Sequence, residues 1–312
     1  MASDLPAPRG DSQPGEPQPG DDGLRWAHPP GELRRPVLVA GFEGWNDAAD
    51  AASNAATWLA QHGTEDPDRL ATIDPEAHFD FQSRRPLVEL VDGVTRSVHW
   101  PENEFAIVPL AERDLVVLRG IEPNYRWRSY CRAVTTVAGA ANCEMVITLG
   151  ALLADVPHTR DAQITGTATD PGLIEQLGLT TSRYEGPTGI VGVLHDHCRQ
   201  AGVASVSLWT PVPHYLAAPP NPPATLGLLH RTAELLGLRF DLSRLEQTAV
   251  AWREKVDEVA SADEDVTRYV KTLEERYDEE SASDSSWGAN LPSGDDLAHE
   301  VERFLREQRD DG

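Results

Sequence analysis

The apolar residues 37–40 (VLVA) run without interruption, which predicts a short strand covered on both faces rather than one with a wet side. A glycine-bracketed turn, 41–44, follows. Ala48, Ala49, Ala51, Ala52, Ala55 and Ala56 then predict a helix ending near Gly63, and so many alanines imply a backbone packed closely on its neighbour. Strand, tight turn and helix in that order set backbone N–H groups and a few side chains at the carboxyl end of a strand. Open α/β sheets bind ligands there.

Between residues 70 and 109 the texture changes to short alternating runs. Residues 87–91 and 96–100 flank Asp92-Gly93, a hairpin signal, so an antiparallel insertion or extension is expected. The strand-and-helix rhythm then resumes with strand 115–118, loop 120–125, helix 127–141, strand 145–149, loop 150–160 and strand 164–168. Residues 171–177 suit a short helix, with Asp170 at its cap and Pro171 in its first turn. Helix 189–201, with Thr188 as its expected cap, strand 204–209, a proline-rich loop 211–223 and helix 224–236 complete the pattern. The expected fold class is α/β: a layered, mostly parallel sheet with helices on both faces.

Past Phe240 the pattern is helical throughout, a C-terminal helical appendage to the core. Leu245, Ala249, Trp252, Val256 and Val259 recur at helical spacing, as do Val266, Tyr269, Leu273 and Tyr277. These stripes need a partner, either the domain or another chain. The expected domains are a disordered leader over 1–32, poor in anything to bury, an α/β core over 33–240, and a helical region over 241–312. A flexible joint is expected at 281–294, followed by a last stripe of Leu297, Val301, Phe304 and Leu305.

Charge sharpens this division. The net charge is −24, and residues 241–312 carry half of it, with 21 acidic against 9 basic side chains. Such a surface repels nucleic acid and anionic membrane, so neither is expected as a partner. No apolar run approaches the roughly 18 residues of a membrane span, and cytoplasmic residence is expected. Cys131, Cys143 and Cys198 are too far apart for a metal knuckle and odd in number for a disulfide framework, so three reduced thiols are expected.

Candidate chemistry gathers in the loops. Glu43, Asn46 and Asp47 beside Trp45 suit general-base work, a hydroxylated ligand or a cation, or else Asn46 or Asp47 caps the helix. The turn GFEG matches neither the dinucleotide nor the phosphate-loop pattern, and no cofactor is expected. Asn124, Arg126 and Arg128, among Tyr125 and Trp127, suit a small anionic ligand or neutralise Glu43 or Asp47 across the sheet edge. Asp155, His158 and Arg160 offer a general acid or base, or hydrogen-bonding spacers, with no serine or cysteine nucleophile nearby in sequence. Tyr184 and Glu185 open a second turn into a helix, which can offer N–H groups to an anion. His214 sits in a stiff aromatic loop that either walls a pocket or covers a sheet end. His195 and His197 lie two apart on a helix and face different ways, so no metal site is expected.

The stretches GFEGWND (41–47), PNYRWR (123–128), GALLADVPHTR (150–160), YEGPTG (184–189) and VPHY (212–215) together resemble the bacterial branch of the proteasome assembly chaperone family. The resemblance covers residues 33–280. It implies a phosphorylase/hydrolase-like core, assembly as a homo-oligomer with a trimer favoured, and, from archaeal and eukaryotic relatives, binding of proteasome subunits without catalysis. Some bacterial members resemble, in automated naming, a carboxylate-amine ligase, for which this chain has no nucleotide-binding pattern. Archaeal relatives that dock on the proteasome end in a hydrophobic-tyrosine-any residue tail. This chain ends Gln308-Arg309-Asp310-Asp311-Gly312, so docking of that kind is not expected. The alternative is an enzyme or small-ligand binder at a sheet-end pocket, with Glu43, Asp47 and His158 as its acid and base candidates.

Overall fold

The computed structural model describes residues 23–282 except 63–65, 92, 94, 171, 173 and 175–184. Most of the helix expected at 171–177, most of the joint expected at 281–294 and all of the last stripe lie outside the described residues.

Ten strands are described: β1 (Leu24–Trp26), β2 (Val37–Glu43), β3 (Asp68–Ile73), β4 (Leu87–Val91), β5 (Thr95–His99), β6 (Asn103–Pro109), β7 (Asp114–Ile121), β8 (Val146–Ala154), β9 (Thr165–Ala168) and β10 (Ser205–Pro213). Eight of them form one sheet in the order β1-β3-β6-β7-β2-β8-β10-β9. The central four, β7, β2, β8 and β10, are parallel, and antiparallel pairs extend the sheet at both edges. The continuously apolar runs thus occupy the parallel centre, where both faces are covered, and the alternating segments pair with each other as a separate two-stranded sheet, β4 with β5.

The helices are α1 (Ala51–Ala60), α2 (Pro75–His78), α3 (Trp127–Ala140), α4 (Ile190–Gln200), α5 (Pro222–Leu236), α6 (Ser243–Ser261) and α7 (Glu264–Ala282). Successive strand residues point to opposite faces. Val37, Val39, Val117 and Ile147 pack with α1 and α5, whereas Leu38, Ala40, Val116 and Val146 pack with α3 and α4. Alanines let α1 approach closely: a Cβ on Gly41 of β2 would lie 2.7 Å from the Ala52 carbonyl oxygen and 2.8 Å from Ala56 Cβ. Gly41 is therefore a requirement of this layer spacing.

Three boundaries differ from expectation. Leu24–Trp26 falls inside the expected leader, yet it pairs antiparallel with β3 and buries Leu24 in the core. Residues 150–154 and 210–213 continue β8 and β10 instead of looping, because the two strands pair residue by residue from Ser205↔Val146 to Pro213↔Ala154. Pro211 and Pro213 are tolerated because β9 pairs only with residues 206–209, which leaves their other side free of a ladder.

The appendage docks on the core. Ala249, Val270, Leu273 and Tyr277 are buried, while Val250, Val259, Val266 and Tyr269 remain exposed. Among the described residues no helix is long and apolar enough to cross a membrane.

Candidate functional site

The central strands are parallel, so Ile121, Glu43, Ala154 and Pro213 end at one edge of the sheet, and the loops expected to carry chemistry leave from that edge. Their side chains, however, separate into two groups.

The first group surrounds the turn after β2. The Asn46 carbonyl accepts a hydrogen bond from the Ala151 amide at 2.8 Å, seating the turn beside β8. Asp47 Oδ1 accepts from the amides of Ala52, 2.7 Å, and Ser53, 3.1 Å. It thereby caps α1 from three residues ahead of Asp50, which sits in the left-handed region and makes no side-chain cap. Capping, one of the two roles open to Asn46 and Asp47, thus goes to Asp47. Burial pushes its carboxyl from 3.8 up to about 6, against the downward pull of these bonds. Asp47 Oδ2 and Asn46 Oδ1 are buried without a hydrogen-bond partner.

Glu122, which sequence reading passed over, ties two turns together. One carboxylate oxygen accepts from the Trp45 amide at 3.2 Å and the other from the Ile190 amide at 2.8 Å, the first of α4. Gly189, not Thr188, is the residue at the cap of α4. A Cβ there would lie 2.0 Å from Asn46 Oδ1 and 2.6 Å from Glu122, so the two turns close on each other only over glycine.

Glu43 pairs with Arg84, so its counter-ion comes from the segment before β4 rather than from the PNYRWR loop. That loop is pinned elsewhere. The Asn124 and Tyr125 amides donate to the His78 carbonyl, and Asn124 Oδ1 accepts from the Asp80 amide at 2.9 Å. Arg126 begins α3 with φ 56°, and the side chains of Tyr125, Arg126 and Arg128 reach solvent. Trp45 is 61% and Tyr125 53% exposed. Glu185 is exposed, and Tyr184 lies outside the described residues.

The second group fastens the appendage. The His158 side chain is 1% exposed. Its Nδ1 lies 2.8 Å from the Tyr215 hydroxyl and its Nε2 2.9 Å from Asp257 of α6, while its amide donates to the same hydroxyl at 3.0 Å. With the ring proton on Nε2, every one of these donors meets an acceptor. Arg160 forks onto Asp278 at 2.9 and 2.8 Å and reaches Glu274 at 3.1 Å, both on α7. His214 bridges Asp155, 3.0 Å, and the Tyr269 hydroxyl, 3.3 Å. The space enclosed among His158, Arg160, Asn221, Trp252 and Tyr277 is about 20 Å³, water-sized. Burial raises the Tyr215 hydroxyl to about 12.

A larger concavity opens on the other side of Glu43. This groove of about 770 Å³ is lined by Ser53 and Thr57 of α1, Arg84, Trp100, Glu104 and Arg119, among others. Arg69 pairs with Glu102 and Glu104, and Arg119 with Glu104. Nothing in the local sequence pattern marks this groove, because its walls come from α1, four sheet strands (β2, β3, β6 and β7), the segment before β4 and the root of the β4–β5 hairpin. His195 turns to Ser205 and His197 toward Thr135, and among the described residues no cluster of three or more His, Cys, Asp or Glu could hold a metal.

Comparison with curated proteins finds no match. Among solved structures, a PAC2 family protein from Streptomyces avermitilis is 45% identical with a TM-score of 0.70, covering 75% of this chain and 99% of its own. A Mycobacterium tuberculosis proteasome-assembly chaperone homologue is 42% identical with a TM-score of 0.69 over the same shares of the two chains. An archaeal proteasome activator from Pyrococcus furiosus, 19% identical with a TM-score of 0.60 over 76% of this chain and 97% of its own, shares the fold. The PAC2 family model matches residues 41–260, which takes in every sheet-end loop described above, and the chain belongs to the PAC2 family.

Proposed function

We propose that this protein is a non-catalytic, cytoplasmic homo-oligomer, a trimer, that binds proteasome subunits in the manner of an assembly chaperone. The observation that carries this reading is a division of labour at the sheet's carboxyl edge. Glu43, Asp47 and His158, the acid–base candidates, are spent on Arg84, on the cap of α1 and on Tyr215 with Asp257. Trp45, Tyr125, Arg126 and Arg128 are exposed at the same edge. Exposed aromatics and arginines on a rigid scaffold are the residue types that dominate protein-binding energy. The Mycobacterium relative, called a proteasome-assembly chaperone homologue, supports the choice of partner. The test is capture from native cytosol by the intact oligomer: proteasome subunits are expected on wild type and lost on Trp45→Ala/Tyr125→Ala. Their absence from the wild-type capture refutes the reading.

The groove beside Glu43 favours a second reading, a small-ligand binder with its arginines facing an anionic group. A thermal-shift screen with nucleosides, phosphate and small carboxylates decides it. No shift with any of them removes this reading.

A further inference from the structure

The groove beside Glu43 combines a charged floor with an apolar wall. β6 stands between β3 and β7 in the sheet. Glu104 lies opposite Arg119, and Arg69 lies opposite Ala106, two residues farther along β6, so Arg69, Glu104 and Arg119 share one face. It is the face that α1 covers, because Arg119 is also level with Gly41, whose Cβ would meet Ala52 and Ala56. The Glu104 side chain is 9% exposed and serves both arginines: Oε1 accepts from Arg119 Nε, and Oε2 lies 2.9 Å from Arg69 Nη2. One buried carboxylate between two guanidiniums orients both of them and leaves a single positive charge over. Glu104 occupies the Nε and Nη2 side of Arg119. The end-on pair of donors, one on each Nη, is left for a second carboxylate, and Nη1 has no partner among the described residues.

We propose that this groove binds an aromatic carboxylate, its carboxylate on Arg119 and its ring against Trp100 and Leu87. The proposal rests on the small-ligand reading above and gives that ligand a chemical class. Charge selects a monoanion. Arg69, Arg84, Arg85 and Arg119 line the groove against Glu43, Glu102 and Glu104, an excess of one positive charge on a chain that carries −24. His99, the remaining titratable group of the lining, pairs with Glu89 at 3.0 Å. A dianion such as phosphate would keep one charge unmatched in the field of a strongly acidic protein. The wall selects the rest of the molecule. Leu87 is 71% and Trp100 50% exposed, and the Trp100 ring is held edge-on to Phe81 at 4.9 Å, so an oriented indole face and an aliphatic side chain border the charged floor. An aromatic ring gains from both, and arginine meets a carboxylate through two parallel N–H donors. A volume of about 770 Å³ has room for such a ligand.

Calorimetry on the full chain compares phenylacetate with phenylacetamide, its uncharged counterpart, with acetate, which lacks the ring, and with inorganic phosphate. Phenylacetate is expected to bind about 10-fold tighter than each of the other three, or better. Trp100→Ala, at a half-exposed position, is expected to lose about 10-fold in affinity for phenylacetate. Arg119→Lys keeps a cation for Glu104 and removes the fork, and a similar loss of about 10-fold is expected. Phosphate binding tighter than phenylacetate, or the amide or acetate binding as well as phenylacetate, overturns the proposal and leaves the small-ligand reading standing. An affinity unchanged by W100A, or by a folded R119K, overturns it too, and W100A alone decides if R119K does not fold. If none of the four probes binds, the proposal falls, and the small-ligand reading falls with it only when nucleosides and the other small carboxylates also give no thermal shift.

Discussion

Replacing Asp47 by asparagine isolates the cost of the buried carboxylate that caps α1. In the folded chain burial raises this carboxyl from 3.8 to about 6. A group whose folded value lies above its unfolded value holds its proton more tightly when folded. The carboxylate therefore costs stability above about pH 6, and the cost fades as pH falls from there toward 3.8. A difference of about 2 pH units at about 1.4 kcal/mol each makes that cost about 3 kcal/mol. Asp47→Asn keeps an oxygen to accept from the Ala52 and Ser53 amides. It places an NH2 where Oδ2 is buried without a partner, at a cost of about 1–3 kcal/mol. That amide cost does not vary with pH, so it cancels when one pH is compared with another. Urea unfolding of both proteins at pH 8 and near pH 4.5 is the assay. The stability of wild type relative to D47N is expected to rise by about 2–3 kcal/mol on acidification. A relative stability that is flat across this range, or that moves the other way, refutes the placement of an ionised Asp47 in a dry cap.

Three further outcomes follow from the same contacts. Gly189→Ala puts a methyl group 2.0 Å from Asn46 Oδ1, so the turns after β2 and before α4 must part. Thermal melting should show a loss of about 1–3 kcal/mol. His158→Ala removes the link between the loop after β8, Tyr215 and Asp257. Hydrogen exchange should quicken along α6 and α7 while the central strands keep their protection, and global stability should fall by about 1–3 kcal/mol. Trp45→Ala, at a 61%-exposed side chain, should leave the melting temperature nearly unchanged, within about 0.5 kcal/mol in stability. The same variant should weaken capture of the protein partner by about 10-fold or more. A capture yield equal to wild type removes Trp45 from the binding surface.

The fold was legible wherever one segment states its own environment. Residues 37–40 and 115–118 are continuously apolar, and 145–149 is apolar but for Thr148, because both faces of the central strands are covered, and the alternating runs around Asp92-Gly93 form the β4–β5 hairpin. Boundaries were illegible where a neighbour decides them. Pro211 and Pro213 read as loop residues until β8 is seen beside them and β9 is seen to stop short. The site divides in the same way. Its residue types were visible in the loops, but their partners lie far along the chain: Arg84 is 41 positions from Glu43, Ile190 68 from Glu122 and Asp257 99 from His158. Local pattern carries no record of such pairings. Those distant partners also change what the loops are for. Asp47, Glu122 and His158 use these bonds to hold α1, α4 and the appendage against the sheet. What this edge presents outermost is a set of turns carrying a tryptophan, a tyrosine and two arginines, the residue types on which the proposed protein binding rests.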